Sequence, residues 1–290
     1  MKPNQSSSEY AGIRQIASLF GKIAHKFGHV ANRLNLMLYR MDFGQRDDDI
    51  YLVTFPKSGT TMMQVILYQL CTDGKGNMDF HHIYDVSPWV SNDAFLKRPV
   101  RDLPSPRIIK SHEHCRDYEK GTKGRFIYVY RNGMDVAVSL FNQNRNYNNP
   151  NLTFEKSFEK FMTRNKHNWF NHLKDWFRNT HKFPILYIRF EDLLNDKQGQ
   201  ISRIIDFLKL DVSNRAVERA IEFSSFDYMK SHEDKFGVQP PDLSRKVFDQ
   251  FIRKGKSGEG EEVSSPDQKS EYQVKLEKTL GHYKDSFSLD

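Results

Sequence analysis

Between Tyr10 and Met41 the apolar residues Ile13, Ile16, Ala17, Phe20, Ile23, Ala24, Phe27, Val30, Ala31, Leu34, Met37, Leu38 and Met41 recur at steps that keep them on one face of a helix. The pattern predicts a long amphipathic helix, or two in succession, over residues 10–41, followed by Asp47, Asp48 and Asp49. At residue 50 the period changes. Residues 50–55 form an apolar run of strand length, Pro56 to Gly59 supply turn chemistry, and residues 60–70 return to a helical period with Met63, Ile66, Leu67 and Leu70 on one stripe.

Three further short runs, residues 107–111, 125–130 and 185–189, read as buried strands. Helical patterns cover residues 134–143, an aromatic-rich stretch over 154–178 with Phe158, Phe161, Trp169, Leu173 and Trp176, and residues 198–209, 213–222 and 267–284. Residues 71–106 are irregular, with turn signals at Asp73-Gly74 and Gly76-Asn77 and with the aromatics Phe80, Tyr84, Trp89 and Phe95. Strands alternating with helices predict an α/β fold: one parallel sheet flanked by helices, with ligands bound outside the carboxyl ends of the strands. On this reading residues 1–44 are an amphipathic helical extension and residues 45–290 a single domain.

Composition adds a core and a charge. In 290 residues, 38% hydrophobic and 13% aromatic, there is material for one large domain. A net charge of +7 suits anionic ligands. The cations are spread along the chain without a zinc, RNP or helix-turn-helix signature, which argues against a nucleic-acid binder. Two cysteines, Cys71 and Cys115, build no disulfide framework and point to a reducing compartment. The polar start and the lack of a run near ~18 apolar residues lead us to expect a soluble, cytoplasmic protein. Between Glu9 and Asp42 the charges are Arg14, Lys22, Lys26, Arg33 and Arg40, with no acid. The stripe there has two readings: docking on the domain, as most such stripes do, or lying on an anionic membrane surface.

The chemistry concentrates at strand ends. A strand, a Pro/Gly loop and a helix in direct succession place Lys57, Ser58, Gly59, Thr60 and Thr61 at a helix N-terminus, where free N–H groups and the helix dipole favour an anion. It is not a Walker A loop, because Lys57 precedes Gly59. Lys110 and His112 lie two apart at the end of the second strand and therefore point to one side. His112 can act as a general base toward a hydroxyl, or share a metal with His114 and with His81 and His82, although no third and fourth ligand stand at characteristic spacing. Arg131 closes the third strand, and Ser139 lies about two helical turns beyond. They can converge on a phosphate, or Arg131 can simply pair with Asp135. Arg253, Lys254 and Gly255 form another cationic, flexible stretch.

The string Thr54-Phe55-Pro56-Lys57-Ser58-Gly59-Thr60-Thr61 resembles the 5′-phosphosulfate loop of cytosolic sulfotransferases. Taken with Lys110-Ser111-His112, Arg131, Ser139 and Arg253-Lys254-Gly255, the order and spacing resemble that family over nearly all of residues 45–290. The resemblance implies 3′-phosphoadenosine 5′-phosphosulfate as sulfuryl donor, with residues 57–61 on its 5′ side and Arg131, Ser139, Arg253, Lys254 and Gly255 on the 3′-phosphate. It implies His112 as the catalytic base aided by Lys57 and Lys110, Ser224 and Phe226 in the adenine segment, and no metal. Met62 stands where the family has a tryptophan over adenine, and Phe190 where it has a tyrosine. Glu259-Gly260 interrupt the family's continuation of the cationic loop, and the dimerisation motif is absent, so the resemblance leaves the oligomeric state open.

The expected activity is sulfuryl transfer to a hydroxyl of a small lipophilic acceptor, an alcohol, steroid or phenol. Its wall would come from Tyr84, Trp89, Phe141 and Tyr147, with Phe236 to Val238 closing the far side, unless those aromatics are core. The alternatives are a nucleotide kinase, which would want a Walker lysine and a magnesium-binding acid, and a non-catalytic binder of nucleotides or nucleic acid.

Overall fold

The computed structural model describes residues 27, 28, 30–147, 149–165, 167–237 and 251–289. Residues 27, 28 and 30–43 are helical (α1). Then follow β1 (Ile50–Thr54), α2 (Thr60–Cys71), α3 (Val90–Phe95), β2 (Ile108–Ser111), β3 (Arg125–Tyr130), α4 (Gly133–Tyr147), α5 (Phe154–Thr163), α6 (Trp169–Arg178) and β4 (Ile185–Arg189). The helices α7 (Phe190–Asn195), α8 (Lys197–Leu208), α9 (Asn214–Phe223), α10 (Phe226–Ser231), α11 (Glu259–Val263) and α12 (Pro266–Leu280) complete the order. The described parts of Met1–Gly44 and Val90–Asp102 form one compact unit, and those of Gln45–Trp89 and Leu103–Asp290 form the other.

In the larger unit the four strands make one parallel sheet in the order β2-β1-β3-β4. Period-two alternation sends Ile50, Leu52, Ile127, Val129 and Ile188 to one face, where they pack with Met63, Ile66, Leu67 and Leu70 of α2 and with α8 residues Ile201 and Ile204. Tyr51, Phe126 and Tyr128 go to the other face, into ring contacts with Tyr118, Trp176, Phe177 and Phe183. Both faces are covered, which is why the strands read as unbroken apolar runs. Asp49, within the acidic run before β1, is fully buried and takes a two-point ion pair from Arg107 at 2.8 and 2.7 Å, fastening the starts of β1 and β2 together. The helix expected over 154–178 is two helices, α5 and α6. The Asn168 side chain accepts from the Asn171 N–H at 2.7 Å and starts α6 afresh, a cap that hydrophobic periodicity does not register.

The smaller unit holds the described part of the N-terminal stripe. Its first part, residues 10–26, lies outside the described residues. In α1 the stripe members Phe27, Val30, Leu34, Met37, Leu38 and Met41 are exposed, while Tyr39 and Phe43, in ring contact at 6.3 Å, are buried. Asp93, fully buried, is held by Arg98 at 3.3 Å and Arg101 at 2.7 Å. The burying face of α1 is thus not the face that carries the long period. No helix among the described residues is long and apolar enough to cross a membrane.

Candidate active site

β1 feeds directly into the loop that starts α2. Gly59 caps that helix at φ 91°, without a side-chain cap. The first-turn N–H groups have no carbonyl acceptor within the helix, and the helix dipole places partial positive charge there. A β-carbon on Gly59 would lie 2.4 Å from the Phe190 ring, so only glycine fits this corner. Lys57 also has a left-handed backbone, φ 71°, at a cost of about 1–3 kcal/mol for a residue with a side chain. Ser58 is fully buried and its hydroxyl meets no protein partner.

Lys110 and His112 leave the neighbouring strand end on the side of this loop, and with Lys57 they line a cavity of about 360 Å³. Nδ1 of His112 lies 2.8 Å from the Thr54 carbonyl oxygen, which can only accept, so Nδ1 carries the proton and Nε2 keeps its lone pair. Burial holds the imidazole well below its ordinary value, and Lys110 pushes it the same way, so the ring is neutral. Thr54 also ties the base to the loop, since its hydroxyl shares a 2.6 Å hydrogen bond with that of Thr60. Lys110 donates to the Tyr84 hydroxyl at 2.7 Å and sits 4.0 Å over the Trp89 ring. Burial, with Lys57 adding repulsion, lowers its ammonium to about 7. Lys57 is lowered to about 8 by burial, then by Arg131 and Arg253.

The far end of the cavity is cationic. Arg131 donates to Asp135 at 3.2 Å and to the Lys256 carbonyl at 2.9 Å, and its guanidinium lies 4.6 Å over the Phe190 ring. Its buried Nε has no protein partner. Asp135 also accepts the N–H groups of Gly258 at 2.9 Å and Gly260 at 2.8 Å, which holds the 253–260 loop on the start of α4. In that loop Arg253 and Lys254 both pair with Glu259, whose carboxyl Arg253 holds down at about 2. The ring of Phe226 lies so close to Gly255 that a β-carbon there would come within 2.2 Å of it.

A neutral imidazole, two lysines and an open helix N-terminus at one end, and a cationic loop at the other, match an anionic group-transfer substrate. The family model described as Sulfotransferase domain matches residues 47–284. The chain belongs to the sulfotransferase family. It is 33% identical to mouse Sulfotransferase 2B1 over 226 residues, 74% of this chain and 66% of that protein. It is 30% identical to the amine sulfotransferase of Oryctolagus cuniculus over 233 residues, 75% of this chain and 76% of that protein. Among solved structures, mouse sulfotransferase SULT7A1 complexed with PAP superposes with a TM-score of 0.65 at 22% identity, covering 87% of this chain and 90% of that one. A retinol dehydratase in complex with androsterone and inactive cofactor PAP gives 0.61 at 22% identity, with 82% of each chain covered.

In this sulfotransferase the cavity brings together Lys57, Gly59, Thr60, Thr61, Met62, Lys110, His112, Arg131, Ser139, Phe226, Arg253, Lys254 and Gly255. Arg131 pairs with Asp135 and also lines the cavity. Ser58 and Ser224 do not line it: both are fully buried, and the Ser224 carbonyl accepts from Lys197 at 2.9 Å. Phe190 lies between Gly59 and Arg131 and so underpins the loop and the guanidinium. Tyr84 and Trp89 form part of the wall, but Phe141 packs on Phe154 instead, and Phe236 is core. The Tyr147 side chain and Val238 lie outside the described residues. The wall is completed by Met229, Phe251 and Ile252, of which Phe251 sits under the Lys57 ammonium at 4.7 Å. The apolar pair just before Arg253 was the available signal for the last two.

His114 turns away into a buried group with His172, and His82 bonds to Gly237 and to the Tyr84 N–H. Among the described residues no three His, Cys, Asp or Glu side chains gather as metal ligands.

Proposed function

We propose that residues 45–290, with residues 1–44 as an extension, transfer a sulfuryl group in the cytoplasm from 3′-phosphoadenosine 5′-phosphosulfate to a hydroxyl of a small lipophilic alcohol, steroid or phenol. The observation that carries this reading is His112. It is neutral, with Nε2 free, in the same cavity as Lys57 and the open start of α2. The orphan Nε of Arg131 and the Gly59 corner fit the donor's phosphate groups. PAP in the mouse sulfotransferase of the same fold supports the donor, and androsterone beside PAP in the retinol dehydratase supports the acceptor class. Tyr84, Trp89, Met229, Phe251 and Ile252 give the wall an apolar character suited to such an acceptor.

In the reaction, Nε2 of His112 takes the hydroxyl proton as the acceptor oxygen attacks sulfur. The bond from sulfur to the bridging oxygen breaks in line, and its electron pair leaves on adenosine 3′,5′-bisphosphate. Lys57 stabilises charge on that departing oxygen, and Lys110 stabilises the oxygens of the group in transit. Arg131, Ser139, Arg253 and Lys254 orient the 3′-phosphate, and Phe226 with Met62 flanks the adenine.

A panel of hydrophobic alcohols, phenols, amines and sugars incubated with labelled donor tests the acceptor class. The expected product is a sulfated hydrophobic alcohol or phenol. Preferred labelling of sugars would contradict the proposed wall.

A further inference from the structure

The outer face of α1 is the largest feature that the transfer chemistry leaves unused. Phe27, Val30, Leu34, Met37, Leu38 and Met41 are each more than half exposed, at 70%, 55%, 51%, 53%, 54% and 70%. At about 100° per residue they fall on one side of the helix, within roughly a third of its circumference. Tyr39 and Phe43 lie about half a turn away and are the residues that α1 buries. The helix therefore has two apolar faces. One is used for packing. The other is a continuous stripe of the kind that soluble surfaces avoid unless it binds something.

Charge decides what binds. Arg33 and Arg40 lie seven residues apart, along one flank of the stripe. Across residues 10–41 there are five cations and no carboxylate, and the first acid, Asp42, comes as the helix ends. An apolar stripe with Arg33 and Arg40 along one flank, and a single acid, Asp42, only at its end, is complementary to a bilayer whose surface is anionic and whose interior is apolar. We propose that the face of α1 bearing Phe27, Leu34, Leu38 and Met41 docks this protein reversibly on anionic lipid bilayers, lying in the plane of the surface. The inference is independent of the sulfuryl-transfer reading.

Co-sedimentation of the full chain with two kinds of vesicle tests it: phosphatidylcholine alone, and phosphatidylcholine containing phosphatidylserine. The protein is expected to pellet with the second and not with the first, and to be released by raised salt. Leu34→Asp with Leu38→Asp alters only exposed positions and should weaken that binding roughly tenfold or more, with the helical circular dichroism and the melting temperature unchanged. Arg33→Glu should weaken it by several-fold without touching the apolar face. Equal partitioning to both vesicle types, or no effect of any of these substitutions, overturns the proposal. So does absence of vesicle binding combined with self-association that Leu34→Asp and Leu38→Asp abolish, which would assign the face to a second copy of the chain.

Discussion

His112 donates its Nδ1 proton to the Thr54 carbonyl oxygen at 2.8 Å, and this one hydrogen bond leaves the lone pair on Nε2. Burial and the neighbouring Lys110 hold the ring's affinity for a second proton well below the ordinary value of 6.5. In the free enzyme the base should therefore stay neutral as pH falls through 6.5, and the acid limb of kcat/KM for the donor should lie well below it. Nitrogen NMR of the ring should show the Nδ1-protonated neutral tautomer. A His112 titration at or above 6.5 in the ligand-free protein would contradict the assignment.

Lys57→Ala and Arg131→Ala should each weaken adenosine 3′,5′-bisphosphate by about 1.5–3 kcal/mol, because each removes a charge-assisted hydrogen bond from a different end of the cavity. Calorimetry measures this. Unchanged affinity in both variants would remove the proposed donor site.

Lys57 sits near 8 and Lys110 near 7 because burial disfavours their charged forms. Each is protonated below its value and loses its charge as pH rises through it. The arriving polyanion favours the ammonium form, so binding of the bisphosphate at pH near 8 should take up protons, and affinity should fall above that pH. Calorimetry in buffers of different ionisation enthalpy reads the uptake directly. Zero uptake would mean that these ammonium groups are already fully charged.

Glu259 pairs with both Arg253 and Lys254, the cations proposed for the 3′-phosphate. Glu259→Gln should tighten bisphosphate binding by roughly 0.5–1 kcal/mol, a modest gain because the pair is partly exposed. Weaker binding in this variant would show that Glu259 instead serves to order the loop.

Much of this was legible in the chain. The strands were visible as apolar runs because the sheet is covered on both sides, and the turn at Pro56 to Gly59 declared itself by residue type. Lys110 and His112 followed from period two. What stayed hidden depends on contacts distant in sequence. Periodicity marks a face of α1 but does not say which face is covered, and the covered one turns on only Tyr39 and Phe43. Phe141 and Trp89 are equally aromatic, yet Phe141 packs on Phe154 while Trp89 is carried to the cavity by its bridge to Lys110. Asp135 and Glu259 organise the cationic loop through bonds that no local motif encodes.

The central claim is that His112 removes the acceptor proton while sulfur passes to the acceptor oxygen. Single-turnover mixing of enzyme, donor labelled in the sulfuryl group and a hydrophobic alcohol or phenol tests it, with products resolved by mass and His112→Ala run alongside. The account predicts label on the acceptor oxygen with release of adenosine 3′,5′-bisphosphate. The variant should bind that nucleotide normally and transfer about 10²–10⁴-fold more slowly. Label that never reaches an acceptor, or transfer by the variant at the full rate, would contradict it.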